Sequence, residues 1–575
     1  MISRERKVVE NTAGLFNLGS PHSQQGKTFR LQRRDNAATL SAIMIRVFLS
    51  LILATQAVCA MDLSPLEGVP IQEGGRKKPY LVFAQETLLG LSGKTSLLVE
   101  GKKADAMEVV TTLWLNPQGW EARPVILVNH KPLKEATGLE VKRKLFSYEE
   151  LTVNNKLLKL LDEAQVLRAR PGNQRLSGLP KEAAEVGMRM AEFESLVNGS
   201  AFRFVANPEM EDGTWALLPP VVIASLQMPF MAGNEAGFAR SADAFRVAMA
   251  GIQPQFQPPA WRITLETIYQ KAHPFRLAWM SYVVAGIALL VAGSRGGYVA
   301  AWVFAGLGFL LQVVGFTART LISGRAPVTN MYETVIWMAF GTIFFALIFE
   351  AIYRSRYFLL GALPVAVGSL ILADAQPVAL SPTINPLVPV LRDNFWLSTH
   401  VTSITLSYAA FALALGLGHI VLGKVILGRK PVTVLYNNMY RAMQIGVLLL
   451  AAGTILGAVW ANYSWGRFWD WDPKETWALV TLLGYLIVLH GRIAGKWGGF
   501  GMAVGSVLAF LGVLMAWYGV NFVLGVGLHS YGFGTGGFGW ALLFVVVEIG
   551  FVCLAVACHK KPVGKPETPA PQLVS

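Results

Sequence analysis

The chain has 575 residues, 53% of them hydrophobic and 15% charged, with a formal charge of +14 at neutral pH and three cysteines. So few cysteines exclude a disulfide-built scaffold, and the apolar bias points to repeated membrane spans. The basic residues are scattered through short connections rather than gathered on one patch, which excludes a nucleic-acid surface.

Residues 1–43 carry no globular pattern and are expected to be a non-native or disordered extension, with Met44 as the true start. "MIRVFLSLILATQAVCA", Met44 to Ala60, has an early positive charge, an apolar core and small residues at its end. It predicts a signal peptide or a retained signal anchor over 44–60. Cys59 lacks a lipobox, since Gln56 stands where leucine is wanted. Residues 61–275 form a mixed α/β soluble domain, placed outside the cytoplasm by the signal ahead of it. Within it "EVVTTLWL" and "RPVILVNH" predict strands, and "SYEELTVNNKLLKLLDEAQ" predicts an amphipathic helix. The domain has no cysteine, and no CxxCH occurs anywhere, so the chain is not itself a c-type cytochrome.

Beyond it, residues 276–558 predict nine spans near 276–293, 298–318, 332–352, 357–374, 399–423, 441–462, 474–491, 500–523 and 540–558, with a cytoplasmic tail at 559–575. The fold class is therefore a polytopic α-helical membrane protein with an extracytoplasmic N-terminal α/β domain. With that domain outside, inner segments hold Arg295, Arg354, Arg356, Lys424, Arg429, Lys430, Arg441, Arg492, Lys496, Lys560, Lys561 and Lys565. The outer loops hold fewer basic residues: Arg319, Arg325, Arg392, Arg467 and Lys474. This is the positive-inside asymmetry, and it agrees with the signal segment.

The topology brings "WGRFWDWDPKETWAL", residues 465–479, to an outer loop, with His400 and His529 on the same face. Tryptophan faces suit a flat porphyrin, and two histidines give six-coordinate haem iron. The glycine-rich segment around His529 lets the backbone approach a bulky ligand. An interfacial aromatic belt explains Trp465, Trp469, Trp471 and Trp477 equally well, although a belt does not call for Asp470, Asp472 and Glu475 among the rings. Asp472, Pro473 and Glu475 also fit a capping box that opens the next helix. No phosphate loop or His-Glu-x-x-His pair is present.

"WGRFWDWDPKETWALVTLLGYLIVLHGR" resembles the WWD signature of haem-handling membrane proteins. Together with "SGRAPVTNMYETV" (323–335), "NPLVPVLRDNFWLSTHV" (385–401) and "YGVNFVLGVGLHSYGFG" (518–534), it is similar to the CcsA (ResC) family of System II cytochrome c biogenesis. The resemblance covers about 276–558. It implies that His400 and His529 are axial ligands of haem b. It further implies that Trp465, Gly466, Trp469, Trp471 and Asp472 form the haem-binding WWD loop within 465–476. His490 is implied as an inner haem ligand; it lies fourteen residues past Thr476, about 21 Å along a helix and so toward the cytoplasmic end. The family's fused forms supply a second membrane histidine from a ResB (CcsB) part. Here that ligand is expected from a separate ResB-like subunit, with His419 and His273 as the remaining candidates in the chain. "LEGVPIQEGGRKKPYLVFAQETL" (66–88) weakly resembles a segment preceding the CcsA part in fused forms, and suggests docking of ResB or apocytochrome. His130 is expected to be structural or exposed; His22 and His559 carry no signal.

The implied function is a holocytochrome c synthase of the bacterial inner membrane. It presents haem b at the outer face and promotes attachment of its vinyl groups to the CxxCH thiols of apocytochrome c. A ResB-like subunit is the expected partner, with a thioredoxin-like thiol reductant beside it. Three alternatives stay open: a haem carrier without ligation activity, a System I handler of the CcmF or CcmC kind, and a scaffold without haem.

Overall fold

A computed structural model describes residues 61–170, 176–207, 213–291, 295–387, 393–524 and 538–559. The extension and signal segment at 1–60, Cys59, His22, His529 and the tail from 560 onward lie outside these residues.

The soluble domain is mostly helical. Its strands form three separate antiparallel ribbons: β1 (Pro70–Glu73) with β2 (Arg76–Pro79), β3 (Ser96–Val99) with β4 (Lys102–Asp105), and β5 (Ile126–Leu127) with β6 (Leu145–Phe146). Around them pack six longer helices: α1 (Tyr80–Ser92), α2 (Ala106–Leu115), α3 (Asn155–Ala169), α4 (Gly178–Val197), α5 (Pro220–Met231) and α6 (Glu235–Gly251). An aromatic cluster ties them together, with Trp114 stacked on Phe202 at 4.5 Å and Tyr80, Phe83 and Phe204 around the pair.

The strand expected over 108–115 is helical in the structure. Asp105 accepts from the Glu108 amide and caps α2, and Val109, Val110, Leu113 and Trp114 are buried at helical spacing. In eight residues dense with apolar side chains, period two and period 3.6 look alike, and the cap decided between them. The run 123–130 contains only the two-residue strand β5. The expected amphipathic helix divides into Tyr148–Thr152 and α3, with a full capping box between Ser147 and Glu150 opening the first and Asn154 capping the second.

α7 (Ala260–Ala272) turns at His273, whose φ is 44°, into α8 (Pro274–Val291). There follow α9 (Arg295–Ser323), α10 (Met331–Tyr353), α11 (Tyr357–Ala375), α12 (Asn394–Ile426), α13 (Thr433–Trp465), α14 (Pro473–Ile493), α15 (Gly499–Leu524) and α16 (Phe538–His559). With the α7–α8 unit these make nine helices, among the described residues, that are long and apolar enough to cross a membrane. The protein is a multi-pass membrane protein. The spans alternate in direction, so the loops after α9 and α13, the start of α12 and the end of α15 meet at the end that carries the soluble domain, here called the domain end.

Small residues let the central helices approach closely. A Cβ on Gly416 of α12 would stand 2.1 Å from the Gly361 carbonyl oxygen of α11. Beside it Phe411 stacks on Tyr485 of α14 at 3.7 Å. α12 is thus the central column of the bundle, buried through most of its length.

One charge has a different setting from that expected. Arg319, read from sequence as a loop residue, lies within α9 and is buried. Its guanidinium pairs with Glu333 of α10 at 2.7 Å and donates to the Pro382 carbonyl at 3.0 Å, while Glu333 also accepts from Thr329. A helix carries an arginine inside an apolar bundle only when every donor finds such a partner.

Candidate functional site

A cavity of about 410 Å³ opens at the domain end between α10, α12, α13 and α15. His400, Trp460, Trp465, Lys474, Trp517 and Asn521 line it, drawn from sequence positions more than a hundred residues apart.

Two π-helical stretches shape its walls. Leu397–Val401 carries His400 near the start of α12, and Met515–Leu524 carries Trp517 and Asn521 at the end of α15. A π-turn inserts a residue into the helix and re-aims the side chains around it, and such turns concentrate at functional sites. The His400 ring is held from below by α13. Its Nδ1 lies 2.8 Å from the Gly453 carbonyl, which can only accept, so Nδ1 carries the proton and the lone pair of the neutral ring is on Nε2. A Cβ on Gly457, one turn further along, would lie 2.5 Å from His400 Cε1, so only glycine leaves room for the ring there. Trp460 meets the imidazole edge-on at 5.7 Å.

On the far wall, Trp517 donates through Nε1 to Thr334 at 2.9 Å, fixing its indole against α10. Asn521 donates through Nδ2 to the Trp517 carbonyl at 3.0 Å, while its Oδ1 is buried without a donor among the described residues. A buried acceptor left unpaired costs about 1–3 kcal/mol, so this cavity holds a polar demand that a ligand or water is suited to meet.

The loop from Trp465 to Pro473 is organised by Arg467, one of the few basic residues expected in the outer loops. Arg467 lies over the Trp465 ring at 5.4 Å, and its Nη1 donates to Glu475 at 2.9 Å. Glu475 in turn accepts from the Asp470 amide at 2.9 Å. The expected capping box is therefore half formed: Asp472 caps α14 by accepting from the Lys474 amide, but Glu475 is turned toward Arg467 and Asp470. Gly466 ends α13 in the left-handed conformation, with φ of 71°. Trp471 adopts the same region at 56°, a strained choice for an aromatic residue, and is 69% exposed. It meets Trp469 edge-to-face at 5.7 Å. Of the tryptophans singled out from sequence, Trp465 lines the cavity; Trp469 and Trp471 form a shelf outside its lining. Lys474, read as a loop charge, stands in the first turn of α14 and lines the cavity.

The other histidines separate. His490 is exposed near the far end of α14, with Nδ1 at 2.7 Å from the Leu486 carbonyl. His419 has its own partners on α16: Glu548 at 3.0 Å and Phe551, stacked at 5.1 Å. His273 lies at the domain end, opposite His490 in the bundle. His130 caps the short helix Lys131–Thr137 through Nδ1, and His559 stacks on Phe500 at 3.9 Å. Sequence reasoning missed Trp460, Trp517, Asn521, Gly453 and Gly457. Asn521 stands within the quoted segment 518–534 but was given no role there, and nothing local marks the others, since each matters only for what another helix places beside it.

Residues 328–529 match the family model described as cytochrome c assembly protein. Over 495 residues the chain is 29% identical to the protein NrfI of Wolinella succinogenes, an alignment covering 80% of this chain and 53% of NrfI, so the chain spans about half of that relative's length. It is 36% identical over 243 residues to the cytochrome c biogenesis protein CcsA of Guillardia theta, covering 37% of this chain and 79% of that one. The CcsA protein of Synechococcus sp. (strain RCC307) is 36% identical over 256 residues, 39% of this chain and 81% of its own.

Proposed function

The chain belongs to the CcsA family of cytochrome c biogenesis proteins, and from that premise we propose that it presents haem b to apocytochrome c and promotes thioether attachment. The observation that carries this reading is His400. It is an imidazole held by a backbone carbonyl so that Nε2 is its basic nitrogen, set at a cavity walled by three tryptophans.

In this reading haem is the substrate. His400 binds its iron from one side and His529 from the other, and Trp460, Trp465 and Trp517 cover the porphyrin. Lys474 faces the propionates, and the Trp469–Trp471 shelf, with Gly466 and Asp472 setting its ends, borders the exposed edge. The CxxCH segment of apocytochrome c binds there, and its histidine replaces one of the two protein ligands. Each thiol adds across a vinyl group: a carbon–sulfur bond forms, the double bond becomes single, and the thiol proton moves to the outer vinyl carbon. The protein contributes mainly orientation, by holding two vinyls against two thiols at once.

The same reading places the protein in the bacterial inner membrane, with the soluble domain and the WWD loop outside, as the positive-inside asymmetry argues. His490, exposed on α14, is suited to contribute to an inner haem site completed by a histidine from a ResB-like subunit. A thioredoxin-like protein keeps the CxxCH thiols reduced.

The test is an absorption spectrum of the full chain, purified in mild detergent, before and after dithionite. Sharp reduced α and β bands are expected from six-coordinate haem. A colourless protein, both alone and co-purified with a ResB-like subunit, would overturn the haem reading. Mixing the loaded protein with apocytochrome c then separates ligation from carriage, because only ligation yields haem that survives acid-acetone extraction.

Gly457→Ala probes the positioning of His400. The added methyl forces the imidazole off the Gly453 carbonyl, and a displaced ligand is expected to lower cytochrome maturation roughly 10–100-fold with normal protein levels. Maturation at the wild-type rate would show that the ring is free to move without consequence.

A further inference from the structure

A second cavity, about 460 Å³, lies at the seam between the soluble domain and the membrane bundle. Its walls come from the turn between β1 and β2, the residues leading into α7, the end of α9 and the 384–386 segment. Four basic side chains line it, Arg76, Lys77, Arg262 and Arg325, and its lining includes no carboxylate among the described residues.

The charges are only partly balanced by the protein. Arg76 pairs with Glu266 and lies 3.9 Å from Glu86. Glu333, across the end of α9, is committed to Arg319 and Thr329. Lys77 donates to the Phe256 carbonyl at 2.6 Å and lies over the Trp215 ring, and Arg325 donates to the Asn385 carbonyl at 2.6 Å; neither contact brings negative charge. Arg262 lies over the Trp261 ring. Two guanidinium nitrogens at this seam, Arg262 Nε and Arg325 Nε, are buried with no acceptor among the described residues, and Arg76 Nη1 is buried with only the more distant Glu86 carboxylate facing it. Buried charged donors left without acceptors cost more than neutral ones, and their clustering around one cavity is what an anion site requires. Beside them Gln257 Oε1 is a buried acceptor without a donor, while its Nε2 donates to the Met249 and Ile252 carbonyls.

We propose that this seam binds a phosphate oxyanion that ties the soluble domain to the membrane helices. Guanidinium forks match phosphate oxygens in geometry and charge, and a hydroxyl on the ligand answers the Gln257 acceptor. Hydrogenphosphate and the glycerol phosphate headgroup of an acidic phospholipid both carry that pair of groups. The cleft lies beside Ser323, the last residue of α9, which is the level at which headgroups sit. The site is separate from the haem reading, and its test needs no maturation activity.

The test uses the full chain in nanodiscs of phosphatidylcholine alone. Thermal unfolding is followed while inorganic phosphate is titrated against chloride at constant ionic strength, and in parallel nanodiscs containing phosphatidylglycerol. Ligand that binds the folded state raises the unfolding temperature. A rise with both additions assigns free phosphate as sufficient, and a rise with phosphatidylglycerol alone assigns the lipid headgroup. Arg262→Gln, on a half-exposed face of α7, and the Arg262→Gln, Arg325→Gln pair are each expected to weaken the response, by about tenfold in apparent affinity per guanidinium removed. No rise in either arm overturns the proposal, and so does an equal rise in wild type and the Arg262 variant.

Discussion

Replacing His400 by alanine is expected to abolish cytochrome maturation, a loss of at least ~100-fold, while the protein still accumulates in the membrane. The ring is not needed to hold the bundle together. Its contacts include the Gly453 carbonyl, the face of Gly457 and the edge of Trp460, and it lies in a π-helical turn at the rim of the core. What alanine removes is the one imidazole among the described residues that line the cavity. The cavity then has space for a small surrogate, so millimolar imidazole is expected to restore part of the haem-stained holocytochrome. Rescue by imidazole separates ligand loss from misfolding, which no added base repairs. Wild-type maturation in the alanine variant would remove His400 from the haem site, whatever the spectrum of the unmodified protein.

Arg319→Ala and Glu333→Ala are each expected to destabilise the bundle by about 3–5 kcal/mol, because either change leaves one buried charge without its counterion. The pair is almost wholly enclosed, with side-chain exposures of 1% and 2%. Its consequences reach the cavity. Arg319 holds the Pro382 carbonyl, and Glu333 holds Thr329 through its amide and hydroxyl; Thr329 and the neighbouring Ser381 line the cavity. Each single variant should therefore unfold in detergent at lower temperature and carry less haem. The Arg319→Met, Glu333→Leu double variant removes both charges and should recover much of the stability without recovering the loop geometry. Single variants as stable as the wild type would mean that water or lipid reaches the pair, contrary to its burial.

Much of the architecture is legible in the sequence. A span needs about twenty apolar residues whatever surrounds it, because backbone groups in hydrocarbon must bond within their own helix. The nine expected spans therefore coincide, give or take their ends, with the nine membrane-length helices found among the described residues. His400 and Trp465 were also legible, since both stand in distinctive local motifs and the alternation of spans brings them to one end. Where the sequence carried two periods at once, as over residues 108–115, the wrong element was expected, and the Asp105 cap settled it. Arg319 was misplaced for a related reason: near a span boundary, an arginine's setting depends on a partner forty ångströms of chain away or more, not on its neighbours.

The sequence by itself determined the membrane class, the run of spans and the family. Only the tertiary structure decided that Gly453 and Gly457 seat the His400 ring, that Arg467 orders the tryptophan loop, and that four basic side chains meet at one seam whose described lining has no carboxylate. The division has a physical cause. Bilayer thickness and helix geometry act on each segment alone, and so leave a local pattern that can be read. Contacts between helices depend on rotation and crossing angle, which packing sets only when the whole bundle assembles.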